Sequence, residues 1–339
     1  MTRASLSWAV VALGLLGCRA PAPSRAPVRA DAAAPVASVF ETLDEVFGGQ
    51  GAPYADERGD GLVYTFDFAG AARQVRLHFP QGWDPQRPTT VRALFHFHSC
   101  GGRTVDNDYY DSFHRTEHGG FLVVTLGAAE RCWEVDPALE DVPYAVAVIE
   151  GIESIAWVDA SRRRLGGMSG GDFMAEVLAC RVGADVIVVG SGGVGYPVSA
   201  ASVTATAAPE PSACVSHPEV FKHHGASDTT VPIALGREAR DLWIDVNECT
   251  LPVDAAGEPV AMSADEEPAR WCHGAELRGG VLEDDSPVPP APCQCFTYDC
   301  AHGSLTYCED AGGHVWYPQH KLVGEAMFGR DGARGPSSL

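Results

Sequence analysis

Two rhythms of apolar and polar positions take turns along this chain. "GLVYTFDF" (61–68) and "RQVRLHFP" (73–80), separated by a glycine-containing turn, read as a hairpin. "VRALFHFH" (91–98) and "GFLVVTL" (120–126) read as strands with a helix-sized gap between them. In "DVPYAVAVIEGIESIAWV" (141–158) the apolar positions Val142, Ala145, Val146, Ile149, Ile152 and Ile155 recur at helical spacing, which predicts an amphipathic helix. There follow a helix over "DFMAEVLACRV" (172–182), strands over "ADVIVVG" (184–190) and "EVFKHHG" (219–225), a helix through "ALGREARDLWIDV" (234–246) and a last strand "SLTYCED" (304–310). Such alternation is the signature of a mostly parallel sheet flanked by helices, so the expected fold class is α/β. There is no internal repeat.

Both ends depart from that pattern. Arg3 precedes the apolar run "LSWAVVALGLLG" (6–17), whose roughly dozen apolar residues are too few to span a bilayer as a helix but suit a cleaved export signal over 1–18. "LLGC" resembles a bacterial lipobox, which would make Cys18 the acylated first residue; a cleaved signal without lipid is the other reading. By the same analogy Arg19, in place of aspartate, points to the outer membrane, with the periplasm or the extracellular space as alternatives. The Pro- and Ala-rich stretch 19–55 has no apolar period and is expected to be a disordered tether. A folded domain is expected over 56–330, with an insertion at about 250–298 and a flexible tail over 331–339. The net charge of -21, from 24 Lys+Arg against 45 Asp+Glu, would repel phosphate backbones and anionic lipid, so nucleic acid is excluded and membrane contact is left to the lipid anchor. A monomer is expected.

Of the 11 cysteines, ten remain once Cys18 is set aside, an even number that in an exported protein reads as disulfides. Cys293, Cys295, Cys300, His302 and Cys308 could be drawn as a zinc site, but they lack paired C-x2-C units and export favours oxidation.

The chemistry gathers around "GGMSGGDF" (166–173). Gly167-Met168-Ser169-Gly170-Gly171 fits G-x-S-x-G, in which a strand turns sharply into a helix and holds a serine at the turn. The following helix aims its N-terminal amides at that serine, and those amides favour negative charge. A serine hydroxyl needs a general base, and the base needs a carboxylate to hold its tautomer. Asp228, in "HHGASDTTVP", and His314, in "EDAGGHVWYP", each lie just past a strand, and the order Ser, Asp, His is that of α/β-hydrolases. For the oxyanion hole, the amide of Gly170 supplies one donor and the amide of Cys100, in the glycine-thinned loop "HSCGG", the other. His96 and His98 share a strand face, which allows metal ligation, but a structural role is the preferred reading.

With these residues in view, the chain resembles the exported esterases grouped with polyhydroxybutyrate depolymerases and feruloyl esterases. The resemblance runs through "RQVRLHFPQGWDPQRP", "ALFHFHSCGG", "GGFLVVTL", "VDASRRRLGGMSGG", "HHGASDTTVP", "RDLWIDVNEC" and "GGHVWYP", roughly 61–328. It implies an α/β-hydrolase fold, a triad of Ser169, Asp228 and His314, and no metal or organic cofactor. It also implies the disulfides Cys100–Cys132, Cys249–Cys300 and Cys180–Cys214, leaving Cys272, Cys293, Cys295 and Cys308 with three possible connectivities and an expected task of stapling the insertion. Trp133 and Trp316 are candidates to stack an aromatic acyl group or a sugar. Three departures from the family pattern stand out. Ser99 replaces a glycine in the oxyanion loop, "HVWYP" replaces "HTWPG", and the strand before the elbow reads "RRRLG", whose arginines need either a locally displaced sheet or covering acids from the insertion. The expected activity is hydrolysis of a carboxylic ester through an acyl-enzyme, on a feruloyl or acetyl polysaccharide, a polyester or a small aryl ester. A non-catalytic lipoprotein that uses the scaffold for binding, and a peptidase of the same fold, are the alternatives.

Overall fold

The strand-period segments pair into a single large sheet. The computed structural model describes residues 37–49, 51–56, 59–101, 113, 120–136, 140–194, 196–199, 202–206, 209–254, 256, 258–261, 294–314 and 328. In chain order the elements are α1 (Ala37–Phe47), β1 (Ala52–Asp56), β2 (Gly59–Phe68), β3 (Ala71–His78), β4 (Val91–Phe97), β5 (Leu122–Leu126), α2 (Asp141–Glu153), β6 (Val158–Asp159) and β7 (Arg164–Met168). They continue with α3 (Gly170–Val182), β8 (Val186–Gly190), β9 (Tyr196–Ser199), β10 (Ser202–Thr206), β11 (Glu219–Gly225), α4 (Ile233–Val246), β12 (Cys249–Thr250), β13 (Gln294–Cys300) and β14 (Ser304–Asp310).

Among the described residues the main sheet runs β1-β2-β3-β5-β4-β7-β8-β11-β14-β13-β12, with β6 beside β4. From β5 through β4, β7, β8 and β11 to β14 every neighbour is parallel, whereas β1 to β3 and β13 join antiparallel at the two sides. The central strands β5, β7 and β8 are buried at every position, as parallel strands covered on both faces must be. Period-two alternation then feeds two cores. Ala93, Phe95, Phe97, Leu122, Val124, Ile187 and Val189 join the larger one, with residues of all four helices. Leu94, Val123, Val186 and Val188 face the other way, toward Phe113, Phe121 and Phe328.

Four expectations need correction. The stretch expected to be a disordered tether as far as residue 55 contains α1 and β1: Val39, Leu43 and Phe47 recur at helical spacing and are buried, with the Phe47 ring 4.5 Å from that of Tyr64. The helix over 141–158 stops at Glu153; Ile155 and Trp157 are still buried, but in the turn that leads to β6. The insertion does not reach residue 298, because β13 pairs with β14 from Gln294. The arginines need neither a displaced sheet nor the insertion. Arg162 pairs with Glu219 of β11 at 2.6 Å, and Arg163 grips Glu153 of α2 with both Nε (2.9 Å) and Nη2 (2.7 Å). Arg164, buried inside β7, donates to the carbonyls of Phe328 (2.9 Å) and Arg162 (2.7 Å). Burial pushes its pKa down to about 10, and it lies 5.6 Å from the ring centre of Phe121.

The disulfides Cys100–Cys132, Cys180–Cys214 and Cys249–Cys300 are present as the resemblance implied. Of the four cysteines left open, Cys295 and Cys308 join each other across directly paired positions of β13 and β14, and together with Cys249–Cys300 they fit a disulfide-rich insertion before the last strand. Cys18, Cys272 and Cys293 lie outside the described residues. These four bonds fit an oxidising, exported environment. Among the described residues no helix is long and apolar enough to cross a membrane.

Candidate active site

Ser169 sits between the end of β7 and the start of α3 with φ 55° and ψ −119°, a conformation that costs a non-glycine residue about 1–3 kcal/mol. Its neighbours must be glycines for steric reasons. A Cβ on Gly167 would lie 2.3 Å from the carbonyl of Gly171, and one on Gly171 would lie 1.9 Å from the carbonyl oxygen of Phe97. With those side chains absent, α3 starts directly against the end of β4. The Ser169 amide donates to the Gly190 carbonyl at the end of β8 (2.9 Å), tying the turn to the sheet.

The loop after β4 reaches the same corner. The Cβ position of Gly170 is 3.3 Å from the Cys100 amide nitrogen and 2.9 Å from Cys100 Sγ, so the two amides expected to form an oxyanion hole belong to touching residues. The loop is strapped from behind. Cys100 is bonded to Cys132, Gly101 N–H donates to the Arg131 carbonyl (2.6 Å), and Trp133 Nε1–H donates to the His98 carbonyl (2.8 Å). His98 Nε2 accepts from Ala128 N–H (3.0 Å), which leaves Nδ1–H to donate to the Ser99 carbonyl (2.8 Å). Burial lowers the His98 pKa, in keeping with this neutral tautomer. Ser99 is accommodated because the positive φ falls instead on Gly101, at 84°. Asp141, at the start of α2, holds the opposing loop by accepting from Glu134 N–H (2.8 Å) while paired with the buried Arg73.

Asp228 lies three residues past β11 and His314 four past β14. As β7, β8, β11 and β14 are adjacent and parallel, all three side chains leave the sheet at one edge. His314 Nδ1 is 2.7 Å from Asp228 Oδ2. The other carboxylate oxygen, Oδ1, accepts from the amides of Thr230 and Val231, both at 2.8 Å. His224 Nε2 donates to the Val231 carbonyl (2.9 Å) and stands 3.4 Å from Asp228 Oδ2. Burial alone would raise the Asp228 pKa; the bonds from His224, His314 and Val231 outweigh it and hold the carboxyl well below the usual carboxylate range.

Other sequence candidates fare differently. Trp133 is 3% exposed and packs edge-on against Phe97, so it buttresses the loop and is not available to stack a substrate. Trp316 lies outside the described residues. His96 is buried and faces Thr125 Oγ1 at 3.4 Å. No group of three or more His, Cys, Asp or Glu residues able to hold a metal occurs among the described residues. The roles of Asp141 and of a buried cluster, Asp172 and Glu176 of α3 with Lys222 of β11, gave no signal in the sequence, because each depends on a partner far away in the chain. Lys222 Nζ lies 2.9 Å from Asp172 Oδ2 and 3.3 Å from Glu176 Oε1, with all three side chains fully buried.

A mixed, mostly parallel sheet flanked by helices, with a tight strand-to-helix turn at its centre, is the α/β-hydrolase fold. Among solved structures, the chain is similar to an acetyl xylan esterase from Aspergillus awamori, at 14% identity and a TM-score of 0.52, covering 83% of this chain and 99% of that one. A lipase/esterase from Lactobacillus plantarum aligns over 55% of this chain and 87% of that one, at 15% identity and a TM-score of 0.42. No family profile and no curated protein matches the chain.

Proposed function

We propose that the chain is an exported serine ester hydrolase with Ser169 as nucleophile, His314 as general base and Asp228 as the orienting acid. The observation that carries this reading is the 2.7 Å bond from His314 Nδ1 to the Asp228 carboxylate, at the strand edge where Ser169 is held in a strained turn. Nδ1–H donates to Asp228, which leaves Nε2 as the free lone pair of the ring. Nε2 takes the Ser169 hydroxyl proton as the oxygen attacks an ester carbonyl. The amides of Gly170 and Cys100 stabilise the resulting oxyanion, and the leaving alcohol departs with the proton from His314. Water, deprotonated by the same imidazole, then releases the acid from Ser169.

The substrate class proposed is an acetyl or feruloyl ester on a polysaccharide, or a polyester. The alignment of 83% of this chain with 99% of a structure described as an acetyl xylan esterase supports the first of these. Lipidation at Cys18, with anchoring at the outer membrane, completes the proposal. Purified Ser169→Ala is expected to cleave short p-nitrophenyl esters about 10^4- to 10^6-fold more slowly than the parent. A fluorophosphonate probe should label Ser169 of the parent. Parent-like rates in the variant, or no labelling of the parent, would refute the assignment and favour a binding scaffold.

A further inference from the structure

We propose that His223 and Asp310 form a second histidine–carboxylate pair whose task is to hold the segment bearing His314, which makes both of them positioning residues for the reaction. The inference rests on the triad reading above. Successive residues of β11 face opposite sides of the sheet. His224 is turned toward Asp228, and His223 toward Asp310, the last residue of β14. His223 Nε2 lies 2.8 Å from Asp310 Oδ2, with the two side chains 2% and 0% exposed. Facing a carboxylate, Nε2 carries the proton and donates it.

The consequence runs through the backbone. Asp310 Oδ1 accepts from Gly312 N–H, and the Asp310 carbonyl accepts from Ala226 N–H (2.7 Å). The Gly312 carbonyl accepts from Ser227 N–H (2.8 Å). The chain from Asp310 to Gly313 therefore lies flat on 225–227, so closely that a Cβ on Gly225 would be 2.3 Å from the Gly313 carbonyl oxygen. His314 comes next on the first segment and Asp228 next on the second. The Asp310 carboxylate is thus the clamp that sets the spacing of the two triad residues, and His223 is what aims that carboxylate.

The test compares His223→Leu, His223→Gln and Asp310→Ala with the parent. It measures kcat and KM on a short p-nitrophenyl ester, melting temperature, and the low-field proton NMR signal of the His314–Asp228 hydrogen bond. In His223→Leu and Asp310→Ala, kcat should fall by about 100-fold with KM little changed, the loss expected when a catalytic group is displaced by about an ångström, and the low-field signal should broaden or vanish. In His223→Gln, whose Nε2 can still donate to Asp310, most of kcat and the signal should return. If His223→Leu does not fold, His223→Phe takes its place, since it keeps an aromatic ring of similar size and removes the donor to Asp310. Parent-like kcat and an unchanged signal in these variants, whatever their melting temperatures, overturn the proposal while leaving the triad in place. A parent that fluorophosphonate does not label overturns both.

Discussion

His98 shows what burial asks of a single side chain. Beside the Cys100 amide it must stay neutral, because Nε2 accepts from Ala128 N–H, and burial lowers its pKa from the ordinary 6.5. The unfolded chain binds a proton at His98 near the ordinary value and the folded chain does so only at lower pH. Stability is therefore greatest above about pH 6.5 and falls as pH drops from there through the folded-state value. Denaturant melts between about pH 7.5 and 5 should show this slope, and His98→Gln should be less stable at neutral pH while lacking that part of the slope. Asp228 acts in a lower window. Its depressed carboxyl contributes stability that is present above the unfolded value of 3.8 and is lost only as pH falls through the folded one. The sharp turn at Ser169 and the carboxylate–histidine pair Asp228 and His314 had a signal in the sequence: a serine ringed by glycines, then an acid and a histidine each just past a strand. Ser99, a departure on paper, needed the backbone to show that the left-handed residue is Gly101.

At the scale of elements, α3 is the least ordinary piece. Every residue from Gly170 to Cys180 is buried, so the helix has no wet face on which to put Asp172 and Glu176. Lys222 of β11 answers both, Trp243 Nε1–H of α4 donates to Glu176 (3.0 Å), and Gly192 N–H donates to Asp172 (2.8 Å). Desolvation, then the neighbouring Glu176, raises the Asp172 pKa, so one buried ammonium serves two carboxyl groups. The cluster joins the helix that follows Ser169 to the strand that leads to Asp228. Removing one member of a buried charge cluster leaves the others uncompensated, so Lys222→Met should destabilise the fold by about 3–5 kcal/mol in denaturant melts. A loss below about 1 kcal/mol would mean the charges are solvated after all. The arginines before the elbow follow the same rule. "RRRLG" looked unfit for a strand until Glu153, Glu219 and two carbonyls came to meet it.

For the whole molecule, the antiparallel side of the sheet is closed by α1, which a reading of composition assigned to a tether. Val39, Leu43 and Phe47 enter the larger core, and the Phe47 ring stands 4.5 Å from Tyr64 and 5.5 Å from Phe66. Phe47→Ala should cost about 3–5 kcal/mol, read as a lowered melting temperature, whereas a true tether would lose nothing. The Pro- and Ala-rich composition around α1 hid three apolar residues whose spacing only a sheet in need of cover turns into a helix. The sequence by itself determined the alternation of strands and helices and the glycine-lined turn at Ser169, because strand and helix periods and steric demands are local. Tertiary structure alone decided which acid answers each buried base, which cysteines close the last hairpin and that Trp133 is wall rather than platform. Those outcomes depend on which distant segments share a dry neighbourhood, and the cost of burying a charge or a ring there is set by what stands opposite.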